Sequence, residues 1–425
     1  MDLIVRNCKL RKKEGLWDIA VADGIFKAVD RKISAKADRE IDADGHLVSP
    51  PFIDPHLHLD AVLSVGKPRY NMSGTLLEGI QIWGERKRSL TKQEIKKNAV
   101  KAIKWEVANG TLKIRTHADA TDPTLLTVEA LAEVREEMKD LVDIQIVAFP
   151  QDGIYTSADG EALMKRAVAM GADVIGGIPH NEFTREDGVA DVDFVFKLAE
   201  ETGSLIDIHV DETGDDQSRF VEVMAKHTIL KGMQGRVTAS HTTAMHNYNN
   251  DYAFKLIGIL KRAEMNMITN PFDNSVLQNR TDGYPRKRGH TRVDELTARG
   301  VNVSIGHDSI MDPWYPMGKG SMLQAANLLL HTAHLSGFDQ FSTLFDMITV
   351  NSSVTMNVAD QYGIEPGKQA DFIILDARDE MEAIRLTSEC LQVIRKGKVV
   401  VETKPAVRRY SLNNDNETID FKLAP

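Results

Sequence analysis

Pro55-His56-Leu57-His58-Leu59-Asp60 follows the apolar run Leu47-Val48-Ser49-Pro50-Pro51-Phe52-Ile53, which reads as one short buried strand. Strand side chains alternate faces, so His56 and His58, two residues apart, project the same way. Two imidazoles at the end of a strand are half of a transition-metal site. A bare His-x-His also fits two surface histidines in a turn. Three further segments weigh against that reading: Asp207-Ile208-His209, Ala239-Ser240-His241 and Ile305-Gly306-His307-Asp308 each close another apolar run.

Working outward, eight short apolar runs alternate with longer amphipathic stretches, the βαβ rhythm of a parallel sheet. After the His56 strand come Lys113–His117, Ile144–Phe149 leading to Gln151, and Val174–Ile178 leading to His180. Leu205–His209, Arg236–His241, Met265–Asn270 and Val301–Ile305 leading to Asp308 complete the set. Helical spacing of apolar residues marks the intervening segments, such as Thr91–Val107 and Gly160–Met170. Strands whose carboxyl ends carry His, Gln, Asn or Asp are the pattern of an α/β chain folded as a (β/α)8 TIM barrel, with one active site at its C-terminal face.

Both termini differ from this middle. Short alternating runs, Leu3-Ile4-Val5 and Ile19-Ala20-Val21 at one end and Asp371–Leu375, Cys390–Arg395 and Val399–Val401 at the other, predict a small β-sandwich domain from residues 1–50 plus 361–425. Residues 51–360 are then the barrel. A chain of 425 residues suits that division.

Composition narrows the function. With 52 basic and 62 acidic residues the formal charge is −10, which argues against a nucleic-acid partner. The lone basic run Arg286-Lys287-Arg288, beside Tyr284 and Pro285, reads as a loop over a site or a subunit contact. Cys8 and Cys390, far apart, predict no disulfide framework and a reducing compartment. Met1–Arg6 lacks a signal-peptide shape and no apolar run reaches spanning length, so no membrane partner and a cytoplasmic location are expected.

His56, His58, His209 and Asp308 supply four ligands of mixed nitrogen and oxygen type, suited to one divalent ion, Zn²⁺ or Fe²⁺, rather than Mg²⁺ or Ca²⁺. Such an ion lowers the pKa of water toward neutrality. His241 is placed to hydrogen-bond that water, and Glu212, three residues past His209, to shuttle protons to a ring nitrogen or leaving amine. Each residue has a blander reading alone: His241 or His117 as a core histidine, Asp308 as a helix cap near Ser309, Glu212 as one of a run of solvated acids. Five strand ends mimicking one site by accident is the less economical account.

The chain resembles the amidohydrolase superfamily and, within it, barrel-type bacterial cytosine deaminase, over nearly its whole length. The resemblance rests on His56-Leu57-His58-Leu59-Asp60, Phe149-Pro150-Gln151-Asp152-Gly153, Ile178-Pro179-His180-Asn181-Glu182-Phe183-Thr184-Arg185, Asp207–Glu212, Ala239–His246, Gly306-His307-Asp308 and Asp312-Pro313-Trp314-Tyr315-Pro316. It implies one metal held by His56, His58, His209 and Asp308, with Glu212, His241 and Asp308 catalytic. It also implies Gln151 on the amide edge of a pyrimidine-like ring, Trp314 as a further substrate contact, and a homo-oligomer.

Two departures bear on substrate. Ser309 stands where that family usually has a second aspartate, and Asn270-Pro271-Phe272-Asp273-Asn274 brings a carboxylate where apolar residues are usual. Ser309 and Asp273 are therefore expected to contact a small-molecule substrate: cytosine, 5-methylcytosine, isoguanine or, as the alternative, creatinine. A ring-opening amidohydrolase with two metals would use a lysine on the fourth strand, and Val174–Ile178 has none. A third reading is a non-catalytic structural homologue, which would be expected to have lost metal ligands.

Overall fold

The computed structural model describes residues 1–412, 415–419 and 421–422. Eight parallel strands form one sheet: β1 (Phe52–Leu57), β2 (Thr111–Asp119), β3 (Asp143–Phe149), β4 (Val174–Ile175), β5 (Leu205–Val210), β6 (Val237–His241), β7 (Asn266–Thr269) and β8 (Asn302–Ile305). Each pairs with its sequence neighbour, and a bridge between Leu57 and Asp308 joins the first to the last. In that bridge the His58 amide donates to Asp308 O at 3.1 Å and the Asp308 amide to His56 O at 2.8 Å. Closure of the sheet is therefore what brings the His-x-His segment against Asp308. The TIM barrel expected from the sequence is present.

Helices on the outside cover the apolar side of each strand. Among them are α1 (Lys92–Ala108), capped by the Thr91 hydroxyl accepting from the Glu94 amide, and α2 (Arg185–Thr202), capped by Thr184. α2 ends at Gly203, whose left-handed φ of 71° suits glycine. The short α3 (Pro271–Leu277) begins with proline in its first turn, where no amide is missed.

The apolar run before the histidines is two strands in two sheets, not one. Leu47–Ser49 pairs with Leu3–Leu10 and with Phe372–Leu375, while Phe52–Leu57 enters the barrel. Pro50 and Pro51, lacking amide donors, stand at the break between the ladders. The second sheet is thus built from both ends of the chain: Leu16–Ala22, Ile25–Asp30 and Arg39–Asp42 join from the amino-terminal side, Cys390–Arg395 and Lys398–Glu402 from the other. Phe26 and Phe372 meet at its own apolar core. Cys8 and Cys390 are both buried free thiols. Among the described residues no helix is long and apolar enough to cross a membrane.

Candidate active site

The barrel interior is polar in layers, set by the period of two along each strand. Lys113, Arg115, His117 and Asp119 alternate along β2; Asp54 and His56 do so along β1, with His58 just past its end, and Asp207 and His209 along β5. At mid-depth the fully buried Arg115 donates to Asp207 Oδ2 at 2.9 Å and to Gln145 Oε1 at 3.0 Å. Ser240 Oγ donates to Asp207 Oδ1 at 2.6 Å and lies 3.0 Å from His56 Nδ1. With the Ser240 hydroxyl proton committed to Asp207, His56 Nδ1–H donates to Ser240, which leaves Nε2 as its lone pair.

That Nε2 is buried without a hydrogen-bond partner and lies 3.4 Å from Asp308 Oδ1. His58 Nε2 is 3.5 Å from the same oxygen and 3.2 Å from His209 Nε2. A tetrahedral ion with bonds of about 2.1 Å sets its donors about 3.4 Å apart. The three separations of 3.2–3.5 Å among these four atoms fit that spacing. Their chemistry fits as well: burial, then the neighbouring imidazoles, hold His56, His58 and His209 well below the usual histidine range, so each offers a neutral nitrogen. Burial, then Asp273, Glu212 and Asp312, push the Asp308 carboxyl well above its ordinary range, a cost that a cation at these atoms offsets.

Two of the site residues leave regular backbone. His241 ends β6 at φ 71°, and Asp308 follows β8 at φ 71°. Along β6, Thr238 and Ser240 face the interior with Arg115 and Asp207, so strict alternation would send His241 outward. The left-handed turn instead aims its ring inward, with Nδ1 3.6 Å from Glu212 Oε1 and 3.9 Å from Asp308 Oδ2. Non-glycine residues in this region carry strain of about 1–3 kcal/mol each and cluster at functional sites.

Above these atoms opens a cavity of about 360 Å³ lined by His58, Gln151, His209, Glu212, His241, Asp273, Asp308, Ser309 and Trp314. All ten site residues expected from the sequence therefore meet, with His56 at the floor just beneath. Glu212 is not a solvated acid: burial raises its carboxyl to about 8, opposed by a 3.1 Å hydrogen bond from Gln278 Nε2. Asp308 caps no helix, since the next one begins at Met322. Asp273 and Ser309 pair directly, Ser309 Oγ donating to Asp273 Oδ2 at 2.7 Å, while Asp273 Oδ1 is buried with no partner.

Sequence reasoning missed four supports. Gln278 holds Glu212, and Asn274 Nδ2 lies 3.0 Å from His241 Nδ1. Arg115 and Asp207 brace His56 through Ser240. A charged residue at the centre of an apolar run was the available signal for that pair, because a buried charge needs a partner. His117, for which a core role was the blander reading, lies with its ring centroid 4.1 Å from that of His56 and its Nε2 3.8 Å from Asp207 Oδ1.

Residues 39–401 match the amidohydrolase family. The chain belongs to that family. It is a hydrolase of C–N bonds, as its relatives are. The structure superposes on 5-methylcytosine deaminase from Klebsiella pneumoniae liganded with 5-fluorocytosine with a TM-score of 0.93, at 44% identity over 96% of this chain and 99% of that one. N-isopropylammelide isopropyl amidohydrolase from Pseudomonas sp. (strain ADP) is 32% identical, covering 96% of this chain and 98% of the relative. Pterin deaminase from Rhizobium rhizogenes is 29% identical, covering 93% and 90%.

Proposed function

We propose that this amidohydrolase is a metal-dependent hydrolytic deaminase that adds water to the amino-bearing carbon of a 5-methylcytosine-like pyrimidine and releases ammonia. His56, His58, His209 and Asp308 would hold one divalent ion, zinc or iron, which when bound supplies Lewis acidity and lowers the pKa of water toward neutrality. His241 would orient the attacking water. Glu212, held by Gln278, would take a proton from that water and deliver it to the ring nitrogen or the departing amine. Gln151, with both a donor and an acceptor on its amide, suits the complementary edge of a pyrimidine carbonyl and ring N–H. Trp314 offers an apolar wall to the ring.

The observation that carries the substrate class is the Ser309–Asp273 pair. A hydroxyl beside Asp308 is smaller than an aspartate and leaves room for a ring substituent, while the unpartnered Asp273 Oδ1 remains an acceptor for a ring or exocyclic N–H. The similarity to the Klebsiella 5-methylcytosine deaminase supports the same reading. Creatinine ranks below it, because Ser309 already engages the carboxylate that a cationic ring would seek. We also take the enzyme to be a cytoplasmic homo-oligomer.

An ammonia-release screen over cytosine, 5-methylcytosine, isocytosine, isoguanine and creatinine tests the proposal. The expected outcome is the highest kcat/KM for 5-methylcytosine. A best substrate among the purines or creatinine would overturn the pyrimidine reading.

A further inference from the structure

Two acidic residues of the segment after β4 have no part in the chemistry above, yet they are built into the wall that carries Gln151. The Glu182 carboxylate reaches across to the loop after β3: Oε1 accepts from the Ile154 amide at 2.5 Å and the Tyr155 amide at 3.1 Å. Next to it, Asn181 Nδ2 donates to Gln151 O at 3.4 Å. Behind Glu182, in the second turn of α2, Asp191 is wholly buried; its Oδ2 accepts from the Ile178 amide at 3.3 Å and its Oδ1 meets no ordinary donor. Room for both carboxyls comes from glycines. A Cβ at Gly177 would come within 2.5 Å of Asp191 Oδ1, and one at Gly153, where φ is 102°, within 3.0 Å of Glu182 Oε2.

Each carboxyl shifts the other's protonation, and burial opposes holding two negative charges there. Burial, then Glu182, pushes Asp191 well above the ordinary carboxylate range. Burial raises Glu182 as well, but less, because the Tyr155 and Ile154 amides donate to it. Asp187, in the first turn of α2, adds further negative potential, and the Tyr155 hydroxyl donates to Glu161 of the helix Gly160–Ala169 at 3.0 Å. On the side of β3 and β4 the pair meets backbone amides. Among the described residues, the strongest influences on the pair include no cation.

We propose that Glu182 and Asp191 form a bracket sharing one proton, in which neutral Asp191 donates to charged Glu182 and Glu182 pins the 150–155 loop so that Gln151 presents its amide to the substrate. Glu182 and Asp191 are positioning residues, acting through Gln151. When Asp191 loses its proton the two carboxylates repel, Glu182 releases the loop amides, and substrate binding weakens while the catalytic groups stay in place. The inference rests on the reading of Gln151 as a substrate contact.

Hydrogen exchange of the peptide spanning residues 150–156, read by mass spectrometry without substrate, tests the bracket apart from activity. Glu182→Ala is expected to lose amide protection there, keep its bound metal, and raise KM about tenfold with kcat within about twofold, the worth of one hydrogen bond to a charged group. Asp191→Asn keeps the donor and cannot ionise, so at alkaline pH it should retain protection and a flat KM where the wild type loses both. Unchanged protection in Glu182→Ala would overturn the bracket. So would an alkaline loss in Asp191→Asn that runs parallel to the wild type, a result that remains decisive if Glu182→Ala fails to fold. Protection changing as expected with KM unmoved would overturn the positioning of Gln151. A wild-type enzyme inactive on every ring would instead overturn the proposed function, and the exchange data would still decide the bracket.

Discussion

Ser309 donates to Asp273 at 2.7 Å beside Asp308, so the carboxylate absent from the residue after Asp308 is supplied from α3 instead. A carboxyl is retained near the reacting ring, but it is set back, burial and then Asp312 hold it well above its ordinary range, and a small hydroxyl fronts the cavity. Ser309→Asp would place a second carboxyl against Asp273 and fill the vacated space. The expected result is a fall in the kcat/KM ratio of 5-methylcytosine to cytosine of about tenfold or more, consistent with the roughly 1–3 kcal/mol that one methyl-sized group is worth in a pocket. Asp273→Asn keeps an acceptor for Ser309 and should preserve the ratio, whereas Asp273→Leu should weaken a cationic ring such as creatinine most. Ratios unchanged in all three variants would remove these positions from specificity.

Asp308→Ala and His56→Ala should each lower bound metal and activity together. Each removes one of four donors that lie 3.2–3.5 Å from a neighbour. Metal content by plasma emission, compared with activity in the same preparation, checks this. Full metal loading in Asp308→Ala would show that its carboxylate serves some other purpose.

The site was legible in the sequence because its residues sit at the carboxyl ends of strands, where position along the chain fixes position in space. Glu212, His241 and Asp308 could each be named from the run that precedes them. The backbone turns that aim His241 and Asp308 inward could not, since nothing in the local sequence announces a left-handed histidine or aspartate. The strand before His56 was misread for a related reason: Leu47–Ser49 and Phe52–Leu57 are equally apolar, and only tertiary pairing assigns them to separate sheets. Gln278 lies far from Glu212 in the chain, and no spacing rule links the two.

Glu106 on α1 is wholly buried, and neither carboxylate oxygen has a hydrogen-bond partner. Burial, then Asp54, holds its carboxyl well above the ordinary glutamate range. The folded state therefore binds this proton more tightly than the unfolded chain does. Stability from the group is present in acid and is lost as pH rises from the unfolded carboxylate value, about 4.3, toward the folded one. Glu106→Gln should consequently melt close to wild type near pH 5 and progressively above it toward pH 8. A melting difference that stays constant with pH would refute the linkage.

Arg115 and Asp207 are both fully buried and brace His56 through Ser240. Asp207→Asn leaves the guanidinium charge without its partner, a change typically worth about 3–5 kcal/mol in a buried pair. Groups that orient a metal-binding histidine typically matter about 10–100-fold in metal affinity. The expected outcome is a lower melting temperature together with weaker metal retention against a chelator. Loss of stability with wild-type metal retention would confine the pair to holding the barrel together.

Glu212→Gln separates shape from proton transfer. The glutamine amide oxygen can still accept from Gln278 Nε2, which lies 3.1 Å from the carboxylate, so the wall of the cavity keeps its form. Glutamine is not one of the four metal donors, so bound metal should be unchanged. What is lost is a group able to take a proton and return it. Burial raises the Glu212 carboxyl to about 8, close enough to neutrality for both protonation states to be accessible during turnover. General acid–base catalysis is typically worth about 10²–10⁴-fold in rate, so kcat on the best substrate should fall by that order with KM little changed. Steady-state kinetics with parallel metal analysis decides it. Near wild-type turnover at neutral pH would mean that protons reach the leaving amine by another route, with His241, whose ring nitrogen stands 3.6 Å from Glu212, the next group to test.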